Sequence, residues 1–156
     1  MIMVSTKGRY ALRVMVDLAK NQGDGYLPLK EIAQRQGISE KYLESILKGL
    51  VAGKMLTGVR GKGGGYRLSR KPGEYTVADI LRLTEGELAA VACLEKGALP
   101  CPRQGDCPTL PLWRNLNALV QGYFSSVTLR DLAEGVQDSA DSASAALSAS
   151  ADRTST

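Results

Sequence analysis

Residues 36–50 read Gln36-Gly37-Ile38-Ser39-Glu40-Lys41-Tyr42-Leu43-Glu44-Ser45-Ile46-Leu47-Lys48-Gly49-Leu50, and this stretch decides the fold. Gly37 can take the left-handed conformation that closes a helix, and the Ser39 side chain can accept the free N–H groups of the turn that follows. From there Tyr42, Leu43, Ile46, Leu47 and Leu50 form one apolar stripe at helical spacing, with Lys41, Glu44, Ser45 and Lys48 on the other side.

Working upstream, Leu29, Ile32 and Ala33 after Pro28 predict a shorter helix that stops at Gly37. Two amphipathic helices joined by Gln36-Gly37-Ile38 predict a helix-turn-helix, in which the second helix lies in the DNA major groove while the first crosses the backbone. An ordinary helical hairpin is the bland alternative. Further back, Ser5 or Thr6 can cap a first helix with Ala11, Val14, Met15 and Leu18 on its apolar face, ending near Asn21-Gln22-Gly23. Its opposite face carries Arg9, Arg13 and Lys20.

Working downstream, Leu56 to Arg60 and Tyr66 to Leu68 read as two short strands around Gly61-Lys62-Gly63-Gly64-Gly65. A basic, glycine-rich hairpin directly after a helix-turn-helix predicts a wing. Glycine lets the backbone approach phosphates or enter the narrow minor groove, whose negative potential attracts Arg60 or Lys62. A flexible turn is the bland alternative, and it would not need flanking cations. The same glycines do not make a phosphate loop, because Lys62 is followed by Gly63 where Ser or Thr is required. A nucleotide-dependent enzyme is further disfavoured by the absence of histidine, the commonest acid–base residue.

The net charge of +4 is unevenly divided: residues 1–72 hold 14 of the 20 Lys and Arg but 5 of the 16 Asp and Glu, a balance of +9 against −5 for the remainder. A field of that kind favours a polyanion, with nucleic acid the natural partner; a solvated lysine-rich face is the alternative. No apolar run reaches the roughly 18 residues needed to cross a bilayer, and the N-terminus lacks the succession of a signal peptide. A cytoplasmic protein without membrane contact is expected.

After the wing, Thr76 with Asp79 three residues on predicts a reciprocal cap for a helix through Val77, Ile80, Leu81 and Leu83. Residues 85–111 then hold Cys93, Cys101 and Cys107 among Gly97, Pro100, Pro102, Gly105, Pro108 and Pro111, a composition that predicts a loop. Three thiols form an odd set, poor for a secreted disulfide framework and suited to metal or redox chemistry in a reducing compartment. From Leu112 the pattern returns, with Leu112, Leu116, Leu119 and Tyr123 flanked by Trp113, Val120, Phe124 and Val127. An apolar face this wide predicts a homodimer through residues 112–127, whose two-fold axis suits a pseudo-palindromic operator on double-stranded DNA.

The expected fold is mainly α with a small β wing: a winged helix-turn-helix plus a long dimerisation helix. The expected division is a DNA-binding domain over 1–84, a cysteine loop over 85–111, dimerisation and terminal helices over 112–135, and a disordered tail over 136–156, rich in Ser, Ala and Asp. On the DNA, Ser39 opens the recognition helix and Lys41, Glu44, Ser45 and Lys48 face the major groove, where Lys donates to guanine and Glu accepts from cytosine N4. Lys7, Arg9, Tyr10 and Tyr42 are read as phosphate contacts, and Arg60, Gly61, Lys62, Gly63, Gly64 and Tyr66 as the wing contacts.

Three segments carry a family likeness: Ser5-Thr6-Lys7-Gly8-Arg9-Tyr10-Ala11, Ile38-Ser39-Glu40-Lys41-Tyr42-Leu43-Glu44, and Arg60-Gly61 through Gly63-Gly64-Gly65-Tyr66. In order and context, over about residues 3–135, they resemble the Rrf-type family of winged-helix transcriptional regulators that includes IscR, NsrR and CymR. Some members of that family hold an iron-sulfur cluster on three cysteines of this loop, and others hold none. The resemblance implies that Cys93, Cys101 and Cys107 bind such a cluster, 2Fe–2S in preference to 4Fe–4S, in a repressor that senses iron-sulfur status, redox state or nitric oxide.

The fourth ligand departs from the family pattern. In the IscR-like branch a histidine follows the last cysteine by three residues, where this chain has Leu110. Other members take a ligand from the partner's first helix, where Arg9 and Arg13 stand and cannot coordinate iron. Asp106 is the first candidate; Glu95, a carboxylate of the other subunit, or an exogenous ligand follow. Zinc fits less well, since structural sites use four Cys or His ligands. The rival expectation is a cluster-free repressor of the CymR type, controlled by a regulatory protein partner, a metabolite or thiol oxidation; apolar fillers or a reversible disulfide pair are the bland readings of the cysteines.

Overall fold

Ser5 starts the first helix by accepting a hydrogen bond from the Gly8 N–H, and the computed structural model, which describes residues 4–136, continues it as α1 over Thr6–Asn21. The positions read as apolar, Ala11, Val14, Met15 and Leu18, are all buried, and so are Gly8 and, at the edge of the stripe, Asp17. Helix α2, Leu29–Gln36, ends at Gly37 with φ of 63°, the left-handed closure expected from sequence. Helix α3, Glu40–Ala52, is capped by Ser39, which accepts from the Tyr42 N–H at 3.2 Å.

Strands β1, Leu56–Val59, and β2, Gly65–Leu68, pair antiparallel with Leu56 opposite Leu68 and Val59 opposite Gly65. Leu27, just before α2, adds a bridge to this hairpin by exchanging two backbone hydrogen bonds of 2.8 Å with Tyr66. After a 3-10 turn at Pro72–Glu74, helix α4 covers Val77–Glu85, and Thr76 and Asp79 form the reciprocal cap that the sequence predicted. The fold is therefore mainly α with a two-stranded wing, in agreement with the fold class read from sequence.

Helix α5, Leu110–Ser126, starts before Leu112 because Pro111 falls in its first turn, where the missing N–H leaves no hydrogen bond unmade. Of its residues only Leu110 is buried. The chain then returns: Val77 N–H donates to Val127 at 2.9 Å, Leu129 N–H to Tyr75 at 2.9 Å, and α6, Leu129–Glu134, seats Leu129 in the main core. That core joins Val14, Met15 and Leu18 of α1 to Ile32 of α2, Leu43, Ile46, Leu47 and Leu50 of α3, both strands, Tyr75 and Ile80. Tyr75 is wholly buried and its hydroxyl donates to the Met55 carbonyl at 2.6 Å while accepting from Arg70 N–H at 2.9 Å.

Tyr42 departs from the expected apolar stripe. It lies at the edge of the stripe in the first turn of α3, 36% exposed, with its ring edge-on to Tyr10 at 5.9 Å rather than in the core. The tail read from sequence as disordered lies, beyond Val136, outside the described residues.

Candidate nucleic-acid interface and cysteine loop

Lys41, Glu44, Ser45 and Lys48 are all exposed on α3. Lys48 Nζ sits 3.3 Å from Glu44 Oε1 one turn back, and Ser45 Oγ donates to the Tyr42 carbonyl at 2.7 Å, leaving its lone pairs free to accept. The pair holds Lys48 along the helix.

The attitude of the helix-turn-helix is set by a polar clamp that local sequence patterns do not announce. Buried Asp17 accepts from Arg35 through both oxygens, Nε to Oδ1 and Nη2 to Oδ2 at 2.9 Å each, and from Gln36 Nε2 at 3.1 Å and Asn21 Nδ2 at 3.3 Å. Arg13 caps the end of α2 by donating to the Gln36 carbonyl at 2.9 Å and side chain at 3.1 Å, and its guanidinium lies 5.2 Å over the Tyr10 ring. Tyr10 in turn abuts Tyr42 at the start of α3. In the sequence Asp17 lies at the polar edge of the α1 stripe, between Val14 and Arg13 around the helix, and nothing local marks it as buried.

In the wing, Arg60 and Lys62 are exposed at the tip, where Gly61 and Gly63 take φ of 94° and 75° and Gly64 N–H closes the turn on the Gly61 carbonyl at 3.0 Å. Gly64 and Gly65 have a reason internal to the chain: a Cβ would strike the Val59 carbonyl at the first and the Leu27 carbonyl at the second. Their smallness therefore serves the hairpin and its bridge, whereas the open sides of Gly61 and Gly63 leave the tip free to approach a ligand. Between α3 and the wing runs a groove of about 380 Å³ with Glu44, Lys48, Arg60 and Tyr66 among its walls. Lys7 and Arg9 stand exposed in the first turn of α1, Arg9 donating to Thr6 Oγ1 at 3.3 Å.

The three thiols are free; Cys93 is exposed and Cys101 and Cys107 half-buried. Among the described residues no three Cys, His, Asp or Glu side chains come together as a metal-binding group. Three thiolates are a chemically apt donor set for iron-sulfur, but the loop in this conformation does not gather them and so does not fit a cluster as it stands. Cys107 Sγ lies 3.4 Å from Thr109 Oγ1, and the hydroxyl, helped by the backbone N–H groups of Thr109 and Leu110 and by Arg103, holds the thiol below its ordinary range. Asp106 faces Arg103 at 3.6 Å. Glu95 lines a hollow of about 500 Å³ with Arg82, Glu85, Glu87 and Lys96 at the root of the loop.

A family profile described as an iron-dependent transcriptional regulator, Rrf2, matches residues 4–135, nearly the whole described chain. The chain belongs to the Rrf2 family. It is 36% identical over 129 residues to the HTH-type transcriptional regulator IscR of Cronobacter sakazakii, covering 83% of this chain and 78% of that one. The fold is similar to CymR, the global cysteine regulator of B. subtilis, at 37% identity and a TM-score of 0.70 over 86% of this chain and 98% of that one. It is also similar to T. potens IscR, at 35% identity and a TM-score of 0.68 over 87% and 89%. This Rrf2 protein is thus a winged-helix transcriptional regulator of the IscR-like kind and not an enzyme. Among its described residues no helix is long and apolar enough to cross a membrane.

Proposed function

We propose that this Rrf2 regulator acts as a homodimeric repressor that binds a pseudo-palindromic DNA site and changes its affinity with the state of the cysteine loop. The carrying observation is the exposed face formed by Lys41, Glu44, Ser45 and Lys48 beside the basic wing tip of Arg60 and Lys62, on the half of the chain that carries the positive charge. In this reading α3 enters the major groove from Ser39 to Lys48 while Gly61, Lys62, Gly63, Gly64 and Tyr66 follow the adjacent backbone. Lys7, Arg9, Tyr10 and Tyr42 position the protein on phosphates. Two copies meet through α5, whose Leu112 and Tyr123 are 57% and 41% exposed and need a cover. The working division follows: residues 1–84 bind DNA, 85–111 sense, and 112–135 dimerise and close the core.

Cys93, Cys101 and Cys107 would hold an iron-sulfur cluster, with 2Fe–2S preferred, once the loop closes; Asp106 would have to leave Arg103 to serve as fourth ligand. When bound, such a cluster supplies iron that reacts with oxygen or nitric oxide. Three thiolates from one chain and the lowered Cys107 thiol support this assignment. The second reading is a cluster-free regulator of the CymR type, with the thiols as a redox switch or a protein or metabolite as effector. It is favoured by the separation of the three thiols in this conformation.

The visible spectrum, iron and acid-labile sulfide of protein purified without oxygen decide between them, beside Cys101→Ala. Colour that the variant loses supports the cluster; a colourless protein after reconstitution, whose DNA binding responds to oxidant, supports the second reading.

A further inference from the structure

Glu85 is the last residue of α4, and its Oε1 accepts a hydrogen bond from Ser5 Oγ, the side chain that caps α1. Ser5 Oγ in turn accepts from the Gly8 N–H at 3.2 Å. Gly8 makes room for this approach: a Cβ there would collide with Glu85 Oε1, at the free end of its side chain, and come within 3.0 Å of Val4 Cγ1, so the carboxylate would have to swing away. Gly8 is buried in the first turn of α1, and the missing side chain leaves space there for the carboxylate. The carboxylate also faces the positive end of the α1 dipole.

The residue after Glu85 is Gly86, whose φ of 74° turns the chain out of α4 and into the segment that leads to the cysteines. The far side of that segment is fixed to α5: Asn117 Oδ1 accepts from Ala90 N–H at 2.8 Å, and Gln121 Nε2 donates to the Leu88 carbonyl at 3.0 Å. Residues 85–90 therefore bridge the start of α1 and the middle of α5 by side-chain hydrogen bonds at both ends. The first turn of α1 is where Lys7 and Arg9 stand exposed. A loop that closes or collapses pulls on a strap whose one end is held by α5 and whose other end holds Ser5, the cap of α1.

We propose that Glu85 is a positioning residue that carries the state of the cysteine loop to the first turn of α1, and so sets how Lys7 and Arg9 meet DNA. The inference rests on the DNA-binding and sensor-loop readings above, but not on whether the loop holds a cluster.

The test measures the affinity of the full chain for a mixed-sequence DNA duplex at low salt, as isolated and after alkylation of its thiols with N-ethylmaleimide. Alkylation is expected to change the wild-type affinity by about five-fold or more. Glu85→Ala and Gly8→Ala should reduce that change to less than about two-fold. Glu85→Gln, whose amide oxygen can still accept from Ser5, should restore it, and Glu87→Ala should behave as wild type. A full wild-type change in both Glu85→Ala and Gly8→Ala overturns the proposal, as does a wild-type affinity indifferent to alkylation. Gly8→Ala keeps the test open if Glu85→Ala fails to fold. A wild-type chain that binds no duplex at all overturns the DNA-binding reading instead.

Discussion

Arg35 grips Asp17 with two parallel hydrogen bonds of 2.9 Å, and the two partners are unequally sheltered: the Asp17 side chain is 3% exposed and that of Arg35 36%. The bond ties the middle of α1 to the last turn of α2, directly before the turn that aims α3. Hydrogen bonding to Asp17 accordingly raises the Arg35 pKa above its ordinary value.

The asymmetry orders two substitutions. Arg35→Ala strands a buried carboxylate with only Gln36 and Asn21 as donors, whereas Asp17→Ala leaves a guanidinium that can turn to water. We expect Arg35→Ala to cost about 3 kcal/mol and Asp17→Ala distinctly less. Denaturant unfolding measures both; a loss in Asp17→Ala well above that in Arg35→Ala would show that Gln36 and Asn21, not Arg35, carry the clamp.

Lys48 stands on the exposed face of α3, ion-paired with Glu44. If it meets phosphate or a guanine edge, Lys48→Ala should weaken duplex binding and lower the slope of log K against log salt by about one unit. Lys96→Ala, on the acidic half beside Glu87, should leave the slope unchanged. Titrations of both variants over a range of salt concentrations give the answer.

Thr109 is the main cause of the lowered Cys107 thiol pKa. A lowered thiol pKa means more thiolate at neutral pH, so alkylation of Cys107 proceeds faster there than for the same residue without the hydroxyl. In Thr109→Val the midpoint of the pH–rate profile should move upward and the rate at neutral pH should fall. Mass spectrometry of the peptide carrying Cys107, sampled over time at several pH values, reads this out. An unmoved midpoint would assign the effect to the backbone N–H groups.

Leu112 and Leu116 lie one turn apart on the exposed face of α5, while Leu110 is the buried contact of that helix. Leu112→Glu with Leu116→Glu should yield a monomer by sedimentation that keeps its helical circular dichroism, because neither side chain fills the core. Leu110→Glu should instead lower stability, because it puts a charge at the buried position of α5. A double variant that still sediments as a dimer would place the interface elsewhere.

The helix-turn-helix could be read from the chain because its information is local: a left-handed glycine at 37, a serine cap at 39 and an apolar stripe of period 3.6 all lie within 15 residues. The same holds for the Thr76 and Asp79 cap. The wing was legible as a hairpin, but the purpose of its glycines was not. Gly65 is small because Leu27, 38 positions earlier, lays its carbonyl against it, and no local pattern announces that neighbour. The clamp on Asp17 and the strap from Glu85 to Ser5 are illegible for the same reason, each being one polar side chain whose partners are distant in sequence.

Periodicity, caps and the division of charge were thus enough to establish the winged helix-turn-helix and its basic half, since these depend on residues within a turn or two of one another, while the family was suggested by the likeness of three short segments. Tertiary structure alone decided that Leu129 closes the core, that Tyr42 leaves it for Tyr10, and that the root of the cysteine loop hangs between α1 and α5. Those outcomes follow from burial and hydrogen-bond completion between segments brought together only by folding, where a polar group excluded from water must find its partner wherever the chain supplies one.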